Sequence, residues 1–325
     1  MSKNFWTQIS RKKIINFRNF KKNSHHAYLI LGPEKIGKLT LAKNIAQSFL
    51  CQSQDKTKGF CGKCHSCLKV VKLEHPDLHI IKPDGQKSSA ISIFQIKEIR
   101  KSATLTTNLG GFKIFIIDQF DQATIPAQNA LLKTLEEPTP KTIFILTASS
   151  EKLILPTIIS RCQRIKLAPL AKKEIIDYLK EKHSQQQSEL IASYAQGRPG
   201  LALKLAQDPK AIEEILNKFK EIGKIIKTED LFYRFNKAGE FSKNSKNANQ
   251  TLDYLEMFFR DLLYVKLSLG DFLINFSDQS ELTKLAQKYS FVKILEVLKK
   301  IRKMKSAFLS NANSKLVLEN LMLII

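Results

Sequence analysis

The sequence predicts an α/β chain in which a parallel sheet, covered by helices on both faces, is followed by helices alone. Three observations carry that expectation. Short and largely apolar runs at 27–31 (AYLIL), 113–118 (KIFIID) and 142–148 (TIFILTA) have the length and continuity of strands buried on both faces. Helical spacing of apolar residues fills the intervals between them, as a parallel sheet requires. Beyond Pro169 the strand pattern stops and only helical periodicity continues.

In chain order, AYLIL ends at Gly32-Pro33, after which Leu39, Ala42, Ile45, Ala46 and Phe49 recur at helical spacing, giving strand, loop, helix. Residues 93–101 read as a helix, Gly110-Gly111 as a turn and 113–118 as the next strand. A helix over about 125–137 stops before Pro138, because the residue preceding a proline is pushed out of helical geometry. The strand at 142–148 follows, and QRIKL at 163–167 is a shorter one. Segments 171–182, 187–196 and 199–207 read as helices, the last two punctuated by Gly197, Pro199 and Gly200. Further on, 252–268 and 289–309 are helical, with the polar stretch 242–250 read as an interruption. The expected domains are 1–169, a nucleotide-binding-like sheet domain with a cysteine module at 51–67; 170–208, a small helical domain; and 209–325, an all-helical domain.

Composition narrows the class. With 325 residues, 43% hydrophobic and 26% charged, the chain can bury two or three modest cores. No stretch reaches the roughly 18 uncharged residues of a membrane span, and the start, with Lys3, Arg11, Lys12 and Lys13, lacks a signal-peptide core, so a cytoplasmic protein without membrane partners is expected. A net charge of +23 and pI near 9.7 would attract nucleic-acid phosphates. Lysines spread over solvated helix faces would give the same total, so charge alone does not decide.

Gly32-Pro33-Glu34-Lys35-Ile36-Gly37-Lys38 fits G-x-x-x-x-G-K between a strand and a helix, the context of a phosphate-binding loop. Its N–H groups and the helix N-terminus would surround phosphates, and Lys38 would reach the terminal ones. The next position needs a hydroxyl for magnesium and carries Leu39; Thr40 lies about 100° further round the helix and cannot simply replace it. Asp118, at the carboxyl end of KIFIID, stands where a magnesium-directing carboxylate belongs, unless it only caps the following loop. Gln119 follows where hydrolysis needs a carboxylate, and a neutral amide cannot take a proton from water. The site therefore reads as a degenerate ATP/Mg²⁺ site of Gly32, Gly37, Lys38, Thr40 and Asp118, or as a glycine turn that no longer holds nucleotide.

Cys51, Cys61, Cys64 and Cys67 supply four thiolates within 17 residues, enough to close a tetrahedral Zn²⁺ shell with no open catalytic position. The metal's expected role is to staple a segment with little core of its own. A redox pair, an iron–sulfur cluster and a vestigial site are the alternatives, and His65 and His75 are near enough to compete as ligands. Ser160-Arg161-Cys162 precedes the last strand at an expected helix end, where an arginine can either project into a neighbouring phosphate site or be merely solvated. Lys97, Arg100 and Lys101, one to four residues apart on a helix, can share a face toward DNA.

Taken together, these segments over roughly 5–210 resemble the AAA+ clamp-loader family, most specifically in AQNALLKTLEEP (127–138), LPTIISRC (155–162) and the four-cysteine insertion. The resemblance implies an AAA+ P-loop domain with a zinc insertion, a helical lid and a helical collar. It also implies partners: ATPase and delta-like subunits of a pentameric arc that places a sliding clamp on primed DNA during replication. It makes Arg161 an arginine finger offered in trans to an adjacent ATPase subunit. Leu39, Gln119 and Gly200, which stands in GRPGLAL where an active relative has a sensing arginine, mark departures that point to a stator rather than a hydrolysing subunit. Toward the C-terminus the match rests on NANSKLVLENL, with Asn311, Asn313, Lys315, Leu316, Leu318, Glu319 and Leu321, where Leu316, Val317, Leu321 and Met322 would line one helix face. Two alternatives stand beside this reading: an active ATPase of the same family, and a zinc-dependent nucleic-acid-binding protein using Lys56, Lys58, Phe60, Lys63, Lys69 and Lys72.

Overall fold

A computed structural model describes residues 24–53, 59–84, 90–107, 111–270, 273, 279–308 and 313–325. Lys56, Lys58, Gly110 and Asn311 lie outside them. The described residues form two compact units, one running to Ala171 and including Gly197–Leu201, the other Lys172–Gln196 with Ala202–Ile325.

The first unit is built on five strands, β1 (Ala27–Leu31), β2 (Leu78–Ile81), β3 (Lys113–Ile117), β4 (Thr142–Ala148) and β5 (Gln163–Lys166), in the order β2-β3-β4-β1-β5 with every pairing parallel. Its helices are α1 (Lys38–Leu50), α2 (His65–Lys72), α3 (Ile93–Thr104), α4 (Ile125–Glu136) and the single turn α5 (Pro156–Ile159). Side chains alternate across a strand, so the apolar runs feed two cores. Ala27, Leu29, Leu31, Phe115, Ile117, Phe144 and Leu146 face α3 and α4; Tyr28, Ile30, Ile114, Ile116, Ile143 and Ile145 face Leu41, Ile45 and Phe49 of α1. β2 is absent from the sequence-based expectation: it is four residues long, contains His79 and lies between Pro76 and Pro83. His79, Phe115 and Phe144 occupy matched register positions on β2, β3 and β4, and their rings stack at 4.9 and 5.3 Å.

Helix ends follow local chemistry. Ser92 and Gln95 form a reciprocal capping box at the start of α3. At its other end Lys113, 3% exposed, donates to the carbonyls of Ser102, Leu105 and Thr106, satisfying backbone acceptors that the helix leaves over. Thr124 caps α4, which stops at Glu136, ahead of Pro138.

The second unit has helices and no strand among its described residues: α6 (Lys172–Leu179), α7 (Gln185–Ala195), the greater part of α8 (Pro199–Gln207), α9 (Pro209–Lys227), α10 (Leu231–Phe241), α11 (Ser245–Lys266), α12 (Gln279–Lys288), α13 (Phe291–Phe308) and α14 (Ser314–Met322). The polar stretch at 242–250 is mostly the start of α11, because Asn244 caps that helix by accepting the Asn247 N–H at 2.7 Å. The buried face of α14 is Leu318, Leu321 and Met322, whereas Leu316 is 64% exposed, so the expected apolar face is corrected by a rotation along the helix. Arg234, 7% exposed, joins Ile225, Thr228 and Met322 through their carbonyls. Among the described residues no helix is long and apolar enough to cross a membrane.

Candidate functional site

The predicted phosphate loop connects β1 to α1 at the carboxyl edge of the sheet. Gly32 N–H donates to Ala148 O at 3.2 Å, tying the loop to β4, and Gly37 enters α1 at φ 102°, a left-handed conformation that favours glycine. Lys38 is 8% exposed and uses all three ammonium protons on Gly32 O (2.7 Å), Pro33 O (3.1 Å) and Ser149 Oγ (2.9 Å). Burial lowers its pKa from the usual lysine range, opposed by Asp121, Glu34 and Asp118.

The departures have physical counterparts. Leu39 packs against the apolar cluster between α1 and the sheet. Thr40 is half-buried one position on. Asp118, 9% exposed, accepts from Thr147 Oγ1 at 2.6 Å, and the same hydroxyl oxygen accepts Gln119 N–H at 3.1 Å, with Gln119 at φ 58°. Asp121 accepts the Ser149 and Ser150 N–H groups at 2.9 and 3.0 Å. Gly200 N–H donates to Lys35 O at 2.9 Å, and a Cβ on Gly200 would lie 2.6 Å from that oxygen, so backbone already fills the place of any longer side chain. Thr147, Ser149 and Asp121 escaped sequence reasoning; their one signal was a set of small polar residues at strand ends.

The four cysteines meet between α1 and α2. Cys51 ends α1, Cys64 caps α2 and Cys67 lies in its first turn. All four Sγ atoms lie within 4.8 Å of one another, with Cys51 and Cys64 4.0 Å apart. A tetrahedral zinc with Zn–S near 2.3 Å needs sulfur separations of about 3.8 Å, so a small contraction fits the set to a metal such as zinc. Backbone N–H groups of Cys61, Lys63, Cys64 and Cys67 donate to cysteine sulfurs, which stabilises thiolates. The Lys63 N–H leads in holding the Cys61 thiol down to about 6. At Cys64 burial works against ionisation, but N–H groups of Cys67 and Gln52 outweigh it; burial pushes Cys67 up.

His75 does not join the ligand set. Its Nδ1 accepts Asp77 N–H at 3.1 Å, which leaves Nε2–H to donate to Ser66 Oγ at 2.8 Å, and Ser66 donates on to Leu50 O at 2.7 Å. This relay fixes the neighbours of Cys51 and Cys67 against each other, an outer support of the kind that orients metal ligands. His65 is exposed.

Arg161 follows α5 with its side chain 34% exposed. Nη1 donates to Thr157 O at 2.8 Å and Nη2 to Glu136 Oε1 at 2.8 Å, while Cys162 is buried in the core beneath. On α3, Lys97 and Lys101 are exposed beside Phe94, itself 74% exposed, and Arg100 is half-buried, while Ile96, Ile99 and Ala103 face inward. Of the basic residues near the cysteines, Lys63 and Lys72 are exposed and Lys69 is half-buried.

Comparison with known proteins gives two family matches, "DNA polymerase III, delta subunit" over residues 8–171 and "DNA polymerase III, delta subunit, C terminal" over 238–325. DNA polymerase III subunit delta' of Haemophilus influenzae is 31% identical over 292 residues, covering 86% of this chain and 84% of the relative. The Bacillus subtilis delta' subunit is 32% identical over 252 residues, covering 77% and 75%. Subunit tau of B. subtilis is 28% identical over 271 residues, covering 77% of this chain and 47% of the relative.

Proposed function

Because the chain belongs to the DNA polymerase III delta and delta-prime family of clamp-loader subunits, we propose that it acts as the stator of a pentameric loader, offering Arg161 in trans to an adjacent ATPase subunit. In this reading residues 170–208 serve as lid and 209–325 as collar, the assembly places a sliding clamp on primed DNA in the cytoplasm, and the cysteine set holds one structural Zn²⁺. The observation that carries it is an asymmetry within the first unit. Around its own phosphate loop the magnesium position is Leu39, half-buried against the apolar cluster and without a hydroxyl, the water-activating position is Gln119, and Gly200 is pressed on Lys35 O. Arg161, by contrast, remains at an open helix end with two of its five N–H donors engaged among the described residues.

A guanidinium reaching a neighbour's phosphates stabilises charge that grows during phosphoryl transfer, and such fingers are worth roughly 10³–10⁵ in rate at one site. The test is ATP turnover with clamp and primed DNA, by loaders assembled with wild-type or Arg161→Ala protein. The variant is expected to fold, bind metal and assemble, yet to lower turnover, with poor rescue by Arg161→Lys, which lacks the planar fork. Equal rates at matched assembly would refute the finger. ATP hydrolysis by the isolated chain at about 1 s⁻¹ or more would replace the stator with an active ATPase.

A further inference from the structure

Arg161 is held more firmly than its exposure requires. Its N–H donates to Ile158 O at 3.1 Å, and buried Ile158 and Cys162 seat the backbone on either side. The guanidinium is gripped on two sides, by Thr157 O from its own turn and by Glu136 from α4. Eight residues earlier on α4, about 12 Å along the axis, Gln128 donates to Ala123 O and Leu153 O and accepts Leu155 N–H. One rigid helix thus fixes both the connection leading into α5 and the side chain that follows it.

We propose that Glu136 is a positioning residue that sets the direction of the Arg161 guanidinium before a neighbouring subunit docks. The proposal rests on the finger reading above. A free arginine samples many rotamers, and ordering it at docking lowers the rate; a carboxylate that orders it beforehand removes that cost. The pair is open to solvent, with side chains 34% and 47% exposed, so it contributes little to the fold itself. Two donors are engaged and three N–H groups remain for an incoming phosphate. Orientation and stability are therefore separable by experiment.

Loaders assembled with wild-type, Glu136→Ala, Glu136→Gln and Arg161→Ala protein would be compared for the kcat and KM of ATP hydrolysis with clamp and primed DNA. The melting temperature of each free chain would be measured alongside. Ordering one long side chain corresponds to about a three- to tenfold effect. Glu136→Ala is expected to lower kcat by that factor with KM and melting temperature unchanged. Glu136→Gln is expected to recover most of the rate, because its amide oxygen still accepts from Nη2. Wild-type rates for Glu136→Ala beside a defective Arg161→Ala would overturn the positioning role and leave the finger standing. Wild-type rates for both would overturn the finger and this proposal with it. A Glu136→Gln as slow as Glu136→Ala, or a loss of melting temperature and assembly in step with rate, would also overturn it.

Discussion

Replacing Gly200 by alanine sets three effects against one another. Alanine favours a helix over glycine by about 0.8–1.0 kcal/mol in a helix interior, and less in the first turn, where residue 200 stands in α8. Against this, the new Cβ would lie 2.6 Å from Lys35 O, a backbone atom that cannot swing aside, and such overpacking costs about 1–3 kcal/mol. Relief requires moving the phosphate loop or breaking the Gly200 N–H to Lys35 O bond of 2.9 Å, worth roughly 0.5–1.5 kcal/mol. The net expectation is a loss of about 1–3 kcal/mol. Gly239, inside α10, meets nothing within 4 Å of an added Cβ, so Gly239→Ala is expected to stabilise by up to about 1 kcal/mol. Urea unfolding followed by circular dichroism would measure both, each variant being read in the transition it shifts, since two units need not unfold together. A Gly200→Ala change within 0.5 kcal/mol of wild type, or of the same sign as Gly239→Ala, would refute the close approach.

Protein purified without added metal is expected to contain about one zinc per chain and to lose it, with the structure of α2, on Cys61→Ser substitution. Well-folded, metal-free protein with four titratable thiols would contradict this. Glu256 on α11 accepts from Lys305 and Arg302 of α13; burial opposes its ionisation, but these partners hold its carboxyl below the ordinary 4.5. Its contribution is therefore present above about pH 4.5 and fades as pH falls through the depressed value, so Glu256→Gln is expected to be less stable at pH 7 and to converge with wild type in acid denaturation curves. Neutralising Lys97, Arg100 and Lys101 together is expected to weaken binding of the assembled loader to primed DNA. The log–log salt slope would fall by about 3, and an unchanged slope would remove these residues from the interface.

Legibility in the sequence followed the range of the interaction. β1, β3 and β4 are buried on both faces and read as largely apolar runs of five to seven residues, whereas edge strand β2, four residues long with His79 among three aliphatic residues, does not. The Gly32–Lys38 loop and the four cysteines are visible because their chemistry is local in the chain. Ser149, which accepts from Lys38 111 positions away, and Glu136, which meets Arg161 across a helix and a strand, come together only through the fold. In α14 the period was readable but not its phase, since Leu316 and Leu318 are equally apolar and only packing selects the second.

The ring ladder of His79, Phe115 and Phe144 has a consequence for how the sheet opens. A four-residue edge strand is ordinarily the first to fray and the easiest to slide. Here a slip of one residue would turn His79 to the opposite face, and a slip of two would leave Phe115 without its stacked neighbour. β2 is thereby keyed to the centre of the sheet in the way a tooth is keyed to a gear. Its amides that bond to β3 are expected to exchange with solvent together with those of β3, rather than ahead of them.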